Sequence, residues 1–140
     1  MVRYKVDQAY KRSSVATATP LGLIIMLYDG LAVNLARAER SLALAPGAEG
    51  ARYLKKAQDI IFELMGSLDF EKGGEIAGNL YRVYEYMNYR LIQANLRRDP
   101  AMVAEVRGLA LQLKEAWEEA ERKLGKKRDG ADGVALGGRV

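Results

Sequence analysis

Residues 17–42 form a stretch that is apolar on nearly every side of the helix it predicts, and this constrains the fold more than any other feature. Thr19 can cap the helix, and Pro20 occupies its first position, where the missing N–H costs nothing. One face at helical spacing is made of Ile24, Leu27, Tyr28, Leu31, Leu35, Ala38 and Leu42. Three more apolar residues lie roughly 100–180° away from that face: Ile25, Met26 and Val33. A helix of this kind needs packing partners on two sides.

Three further segments show helical periodicity, and short connections separate them. Apolar side chains recur every three or four positions in the second and fourth segments, which is typical of bundle packing. Asp99-Pro100 repeats the cap-and-proline start of the first helix. Strand signals are nearly absent, so we predict an all-α protein, an antiparallel up-down-up-down four-helix bundle with an N-terminal arm or short helix. The predicted helices cover residues 20–43, 51–68, 75–97 and 100–124.

The formal net charge of +4 is concentrated at the two ends of the chain. Residues 1–14 carry a charge of +3 and residues 126–140 a charge of +2, whereas residues 15–125 carry −1. A nucleic-acid-binding protein more often carries a basic stripe on its folded face, so we expect no nucleic acid partner. We divide the chain into an N-terminal arm (1–16), a bundle (17–125) and a disordered basic tail (126–140).

The chain contains no cysteine and no histidine. Disulfides are therefore excluded, and the commonest metal ligand and the commonest general base are missing. Nucleotide-binding glycine motifs are absent as well. We expect no catalytic residue, no cofactor site, no metal site and no enzymatic activity. No apolar run approaches the ~20 residues of a membrane span, and no secretory signal is visible, so we expect a cytoplasmic protein.

The first and third predicted helices carry more apolar surface than one bundle core should consume. The third helix has a core face that begins at Ile76 and, roughly 120–180° from it, a second cluster made of Tyr81, Tyr89, Ile92 and Leu96. Phe62 falls about 130° from the centre of the apolar face of the second helix. These residues could flank the core or form a homodimer interface, or they could line a groove for an amphipathic or extended segment of another protein. The tyrosines favour the groove, because tyrosine offers a large contact area for little rotamer entropy.

Four short motifs follow one another along residues 10–120 in a characteristic order and spacing. They comprise Tyr10 with residues 15–20 and 26–30; residues 56–61, 64–65 and 67–69; residues 73–77, 79–81 and 86–87; and Asp99-Pro100 with Trp117. Together they resemble the flagellin export chaperones of the FliS family. Leu21-Gly22 departs from that pattern, because a charged pair is usual there, and it makes the first turn of the helix more apolar.

The resemblance implies a small helical bundle without catalytic activity that binds the C-terminal segment of newly made flagellin in the cytoplasm. Holding this segment blocks premature polymerisation and keeps flagellin ready for the flagellar type III export apparatus, whose components are further expected partners. We place the flagellin groove at the surplus apolar residues Ile25, Met26, Val33, Phe62, Tyr81, Tyr89, Ile92 and Leu96. The N-terminal arm of the family can lie over an apolar groove, which here implies a lid containing Tyr4, Tyr10 and Val15.

We expect a monomer or weak dimer without a membrane span. The alternative is a structural homodimeric bundle, or protein-interaction module, without a flagellin client. In that case the second apolar faces of two copies would pair with each other. A bundle that associates with RNA or a membrane through its basic ends is a more distant alternative, which salt-dependent binding would reveal.

Overall fold

The structure is a computed structural model that describes residues 19–44 and 48–130, and every regular element in those residues is an α-helix. The helices are α1 (Pro20–Leu44), α2 (Ala48–Gly66), α3 (Phe70–Arg97) and α4 (Pro100–Gly130). The predicted all-α four-helix bundle is confirmed. Residues 1–18, 45–47 and 131–140 lie outside the described part of the chain, and so does the predicted N-terminal arm.

The helix starts follow from local side-chain chemistry. The Thr19 hydroxyl oxygen accepts a hydrogen bond from the Gly22 amide at 2.9 Å, which confirms the predicted cap of α1. The Asp99 carboxylate accepts one from the Ala101 amide at 2.9 Å and begins α4 in the same way. Each cap gives a partner to an amide that has none within its own helix.

Polar contacts between helices show that neighbours run antiparallel. From α2 to α3, Gln58 Nε2 donates to Asn88 Oδ1 at 2.8 Å. From α3 to α4, Arg90 forms an ion pair with Glu105 at 2.8 Å. From α4 back to α1, Arg107 pairs with Glu39 at 3.0 Å and Lys114 pairs with Asp29 at 2.7 Å. Between α1 and α4 the residue numbers rise along one helix as they fall along the other. The chain reverses at the short connections, residues 67–69 and 98–99, so α2, α3 and α4 also alternate in direction, which is the up-down-up-down order.

Helix α1 lies between α2 and α4 and packs extensively against both. Two glycines permit the close approach to α2. A Cβ added at Gly30 would lie 3.3 Å from Cδ1 of Ile60, and one added at Gly50 would lie 2.9 Å from Cδ2 of Leu42. Helix α3 also packs against α2 and α4 but lies diagonally opposite α1. The two neighbours explain why α1 is apolar on nearly every side.

The central cluster of the core is apolar apart from two tyrosine hydroxyl groups, and outside this cluster the polar side chain of Asn34 is also buried. Tyr28 of α1 and Tyr84 of α3 are fully buried, and their hydroxyl oxygens lie 2.5 Å apart. The largest side chains packed with them in the core are Leu31, Leu35, Leu54, Ile60, Ile61, Leu64, Met87, Leu91, Val103 and Val106. The core face predicted for α1 is therefore the observed one, with Ile24 partly buried at its edge.

Several predicted boundaries were wrong. Helix α2 begins three residues earlier than predicted, and α3 begins at Phe70 because Asp69 caps a short first turn there. Helix α4 continues through Gly125 to Gly130, so the first five residues of the predicted tail are helical. Residues 131–140 lie outside the described part of the chain.

Helix α1 is long and apolar enough to cross a membrane by length and composition alone. The prediction that no segment meets this criterion was therefore too strong. Half of the most apolar 18-residue stretch of α1 is buried inside the bundle. The core helix of a soluble protein passes the same test, so this helix is weak evidence for a membrane span.

Candidate partner-binding surfaces

The outer side of α3 carries four exposed apolar side chains on one face, which we call the outer strip and define as Tyr81, Tyr89, Ile92 and Leu96; the exposed Glu85 lies on the same face between the two tyrosines. All four side chains are exposed, and Leu96 is 78% exposed. They fall within about 80° of one another on the helix, as predicted. The buried residues of α3, among them Met87 and Leu91, lie on the opposite side. The outer strip is thus a second apolar face that no described helix covers.

Local contacts hold the two tyrosine side chains of the outer strip in place. The rings of Tyr81 and Phe70 meet edge to face with centroids 6.0 Å apart. The Tyr89 hydroxyl oxygen accepts a hydrogen bond from Gln93 Nε2 at 2.8 Å. Because these aromatic side chains are already ordered, a partner that binds here loses less rotamer entropy than it would on a mobile surface.

Beside the outer strip, hydrogen bonds to Glu105 hold α3 against α4. The Tyr86 hydroxyl donates to Glu105 Oε2 at 2.6 Å, and Arg90 Nε donates to Glu105 Oε1 at 2.8 Å. The hydrogen bond from Tyr86 and the charge of Arg90 hold the pKa of the Glu105 carboxyl below its usual value. These contacts keep the Glu105 carboxylate ionised and hold the outer face of α3 in one orientation.

A second apolar surface is a cleft of about 1120 Å³ at the end of the bundle where α1 and α3 begin. We call it the end cleft and define it by Leu23, Ile24, Phe62, Ile76, Leu80 and Trp117. Its rim includes Glu63, Asp69 and Lys72. The cleft reaches down to Tyr84 and Leu27 of the core.

The structure divides the predicted groove among different parts of the bundle. Phe62 is exposed and lines the end cleft, whereas Tyr81, Tyr89, Ile92 and Leu96 form the outer strip. Val33 is exposed on α1, diagonally across the bundle from α3. The predicted lid residues Tyr4, Tyr10 and Val15 lie outside the described residues. The eight predicted residues therefore do not make one groove.

Ile25 and Met26, two residues of the predicted groove, are nearly buried in the structure, and their contact with a partner stays a prediction. Ile25 is 9% exposed and Met26 is 8% exposed. Ile25 lies one helical turn before Asp29, whose carboxylate pairs with Lys114, so Ile25 is on the side of α1 that faces α4. The sequence predicted packing partners for α1 on two sides, and periodicity could not show that α4 of the same bundle is the partner on the side that carries Ile25.

The end cleft was missed because its apolar residues had been assigned to the core. Ile76, predicted to be a core residue of α3, is 70% exposed. Helix α3 has a non-helical residue at Gly74, with φ 49° and ψ −122°, which displaces its first turn. The Gly73-Gly74 pair was the sequence signal that could have revealed this kink. Glycine readily adopts a positive φ, so a glycine pair shortly after a capping aspartate can kink a helix instead of belonging to a loop.

Neither surface contains a cluster of groups suited to chemistry. Within residues 19–44 and 48–130, no three acidic side chains are placed to hold a metal ion together. What the two surfaces offer a ligand is apolar area, aromatic rings and a polar rim. Such surfaces are suited to binding a protein segment.

Comparisons with known proteins identify the family. The family model for the flagellar protein FliS matches residues 3–124. The flagellar secretion chaperone FliS of Salmonella typhimurium is 44% identical over 117 residues, which cover 83% of this chain and 87% of the relative. The FliS of Bacillus subtilis is 36% identical over 127 residues, covering 91% and 94% respectively. FliSB of Pseudomonas aeruginosa is 40% identical over 112 residues, covering 80% and 89%.

These relatives are named as chaperones, a class of protein without enzymatic activity. The matches extend over nearly all of α1 to α4 and include the residues of both apolar surfaces. The chain therefore belongs to the FliS family of flagellar secretion chaperones.

Proposed function

We propose that this protein binds the disordered C-terminal segment of flagellin in the cytoplasm, prevents its premature polymerisation and keeps it competent for flagellar type III export. The observation that carries the proposal is the outer strip, an ordered apolar face of α3 that no described helix covers. A chaperone of this family needs a surface that can hide the apolar side of an unfolded client, and the strip has that chemistry.

The energetics of the strip suit a client that folds as it binds. Ordering a disordered segment costs on the order of 2–5 kcal/mol. Burying one large apolar side chain contributes roughly 1.5–3 kcal/mol. Three or four anchors on the strip therefore offset the ordering cost and leave a net affinity.

The end cleft gives the same client a second place to bind. The Phe70 ring contacts Tyr81 of the strip, and Phe70 lies in the same short turn as Lys72 and Gly73, which line the cleft. A segment of the client that leaves the strip at this end can therefore continue into the cleft. Binding at both surfaces requires a wrapped client and raises affinity through the local concentration of the second segment.

The experiment is a calorimetric titration with a flagellin C-terminal peptide, using a pair of variants matched for exposure. Ile92 in the outer strip is 45% exposed, and Leu111 on α4, outside both surfaces, is 41% exposed. We expect Ile92→Asp to weaken binding about tenfold or more, because a carboxylate would be buried against the client. Leu111→Asp should leave the affinity unchanged, and Tyr89→Glu should behave like Ile92→Asp.

Circular dichroism of each variant serves as the folding control. If Ile92→Asp keeps the helicity and the affinity of the unchanged chain, the outer strip is not the flagellin site. If the unchanged chain does not bind the peptide at all, the proposed function is wrong, and the structural homodimer becomes the better explanation of the strip.

We also propose that residues 1–16, with Tyr4, Tyr10 and Val15, act as a lid over apolar surface of α1. This proposal rests on the family and on the basic, partly apolar character of the segment. A chain that lacks residues 1–16 should bind more of a hydrophobic dye than the full chain while keeping its helicity. Equal dye fluorescence in the two proteins would exclude the lid. Components of the export apparatus are proposed as further partners of the loaded complex.

A further inference from the structure

Charged side chains are segregated along the bundle. The half that contains the end of α1 and α3 and the start of α2 and α4 comprises residues 31–44, 48–59 and 86–111. It carries nine basic and five acidic residues, a net charge of +4. The other half comprises residues 19–30, 60–85 and 112–126, and it carries six basic and ten acidic residues, a net charge of −4. We call them the basic half and the acidic half.

Helix dipoles account for this polarity on α3, which has an acidic first turn and a basic last turn, but not on α2. Acidic residues stabilise the start of a helix and basic residues stabilise its end. Beyond its first turn, helix α2 has the reverse pattern, with Arg52 and Lys55 in its first half and Asp59 and Glu63 in its second half. These charges of α2 oppose its own dipole, yet they agree with the basic and acidic halves of the bundle. The segregation of charge is therefore a property of the whole molecule.

The outer strip spans both halves. Tyr81 lies in the acidic half, and Tyr89, Ile92 and Leu96 lie in the basic half. From residue 81 to residue 96 the strip is about 22 Å long at 1.5 Å per residue. Because the Debye length at physiological ionic strength is about 8 Å, the charges at the two ends of the strip act separately on a bound segment.

We propose that this polarity sets the direction in which a client segment lies on the outer strip. This inference rests on the proposed function and adds to it the charge pattern and orientation of the client. The segment is amphipathic, with acidic residues towards one end and basic residues towards the other. Its acidic end lies near Leu96 in the basic half, and its basic end lies near Tyr81 and the end cleft in the acidic half.

Apolar contacts cannot supply this directionality by themselves. A helix with apolar residues at positions i, i+3, i+4 and i+7 can lie on an apolar strip in either direction with similar buried area. Complementary charges make one direction more favourable and also steer the encounter. Each exposed pair changes an equilibrium by a factor of about 1.4–5, so a few pairs together favour one direction by about tenfold.

Disulfide trapping measures the direction, because the chain contains no cysteine of its own. Gly78→Cys places a thiol at the acidic end of the strip, where no atom lies within 4 Å of an added Cβ. Asn95→Cys places one at the basic end, where Asn95 is exposed. The probes are two synthetic amphipathic peptides with the same apolar spacing and an N-terminal cysteine. One has glutamates in its first half and lysines in its second half, and the other has the reverse order.

At low salt we expect the acidic-first peptide to crosslink about tenfold more to Asn95→Cys than to Gly78→Cys, and the basic-first peptide to show the opposite preference. Both preferences should disappear at high salt. The inference is overturned if both peptides prefer the same cysteine, if neither shows a preference, or if the preference persists at high salt. It is also overturned if neither peptide binds while the flagellin peptide does.

A charge exchange on the protein provides the matched control. Glu85→Lys combined with Arg97→Glu changes the net charge of residues 70–85 from −1 to +1 and that of residues 86–97 from +2 to 0, and it leaves the net charge of the chain unchanged. We expect it to abolish or reverse the crosslinking preference. Arg52→Glu combined with Glu115→Lys makes the same exchange on α2 and α4 and should change the crosslinking preference less.

Titration of the flagellin peptide separates this inference from the proposed function. Binding without any charge-dependent direction overturns this inference alone, whereas absence of binding overturns the proposed function.

Discussion

Tyr28 and Tyr84 join two helices that otherwise do not pack on each other. Helices α1 and α3 lie diagonally across the bundle, and the two hydroxyl groups meet between them at 2.5 Å. Burial raises the pKa of both hydroxyl groups above the ordinary value of 10.0. The pair therefore links α1 and α3 at the core.

We expect Tyr84→Phe to lower the free energy of unfolding by about 1–3 kcal/mol, because it leaves the buried Tyr28 hydroxyl without its partner. Urea unfolding followed by circular dichroism measures the change. The double variant Tyr28→Phe with Tyr84→Phe should cost less than the sum of the single variants, because no tyrosine hydroxyl is then left without its tyrosine partner. Strictly additive losses would show that the two hydroxyl groups do not interact.

The pH dependence of stability gives an independent measure of the same pair. A tyrosine whose folded pKa is raised binds its proton more tightly in the folded state than in the unfolded state. Stability is therefore unaffected below about pH 10, where both states are protonated, and falls as the pH rises above that value. We expect this alkaline loss to be smaller in the double phenylalanine variant.

At the scale of the helix, the first turn of α3 shapes the end cleft. The Asp69 carboxylate accepts a hydrogen bond from the Lys72 amide at 3.0 Å and caps a turn that starts at Phe70. Gly74 then takes φ 49°, and the helix continues in a new direction to Arg97. Lys72, Gly73 and Ile76, on the two sides of this kink, all line the cleft. The glycine is thus a structural requirement of the cleft.

We expect Gly74→Ala to destabilise the protein by about 1–3 kcal/mol, since a side chain is strained at this backbone conformation. Gly78→Ala, one turn later in the regular part of α3, has no atom within 4 Å of the added Cβ and should stabilise by up to about 1 kcal/mol. Thermal unfolding of the two variants makes the comparison. A loss of equal size at both positions would show that the kink at Gly74 carries no strain.

The elements were largely predictable from the sequence, because helical periodicity and capping residues are local signals. The start of α1 at Pro20 and the outer strip on α3 both follow from them. Periodicity showed that α1 needs partners on two sides, but it could not show that α4 covers the side that carries Ile25. It also could not show that the core ends before Ile76, because that depends on the kink and on how the bundle closes at one end.

At the scale of the whole molecule, the outer strip is too small to hold two copies together firmly. The strip is about 22 Å long and about 10 Å wide, the diameter of a helix, which gives roughly 220 Å² for each copy. Stable protein interfaces bury about 800 Å² on each partner. Pairing by a twofold axis with antiparallel strips would nevertheless bring the acidic half of one copy against the basic half of the other, which favours weak association at low salt.

We therefore expect a monomer at micromolar concentrations and a weak dimer only at much higher concentrations, with added salt shifting the equilibrium towards the monomer. Sedimentation velocity across a range of concentrations and ionic strengths measures this. Ile92→Asp should remove the weak association, whereas Leu111→Asp should leave it unchanged, because only Ile92 lies in the strip. A dimer that persists at nanomolar concentration and in high salt would contradict the prediction. It would mean that the strip is buried between two copies, and the same surface could then bind a client only after the dimer had dissociated.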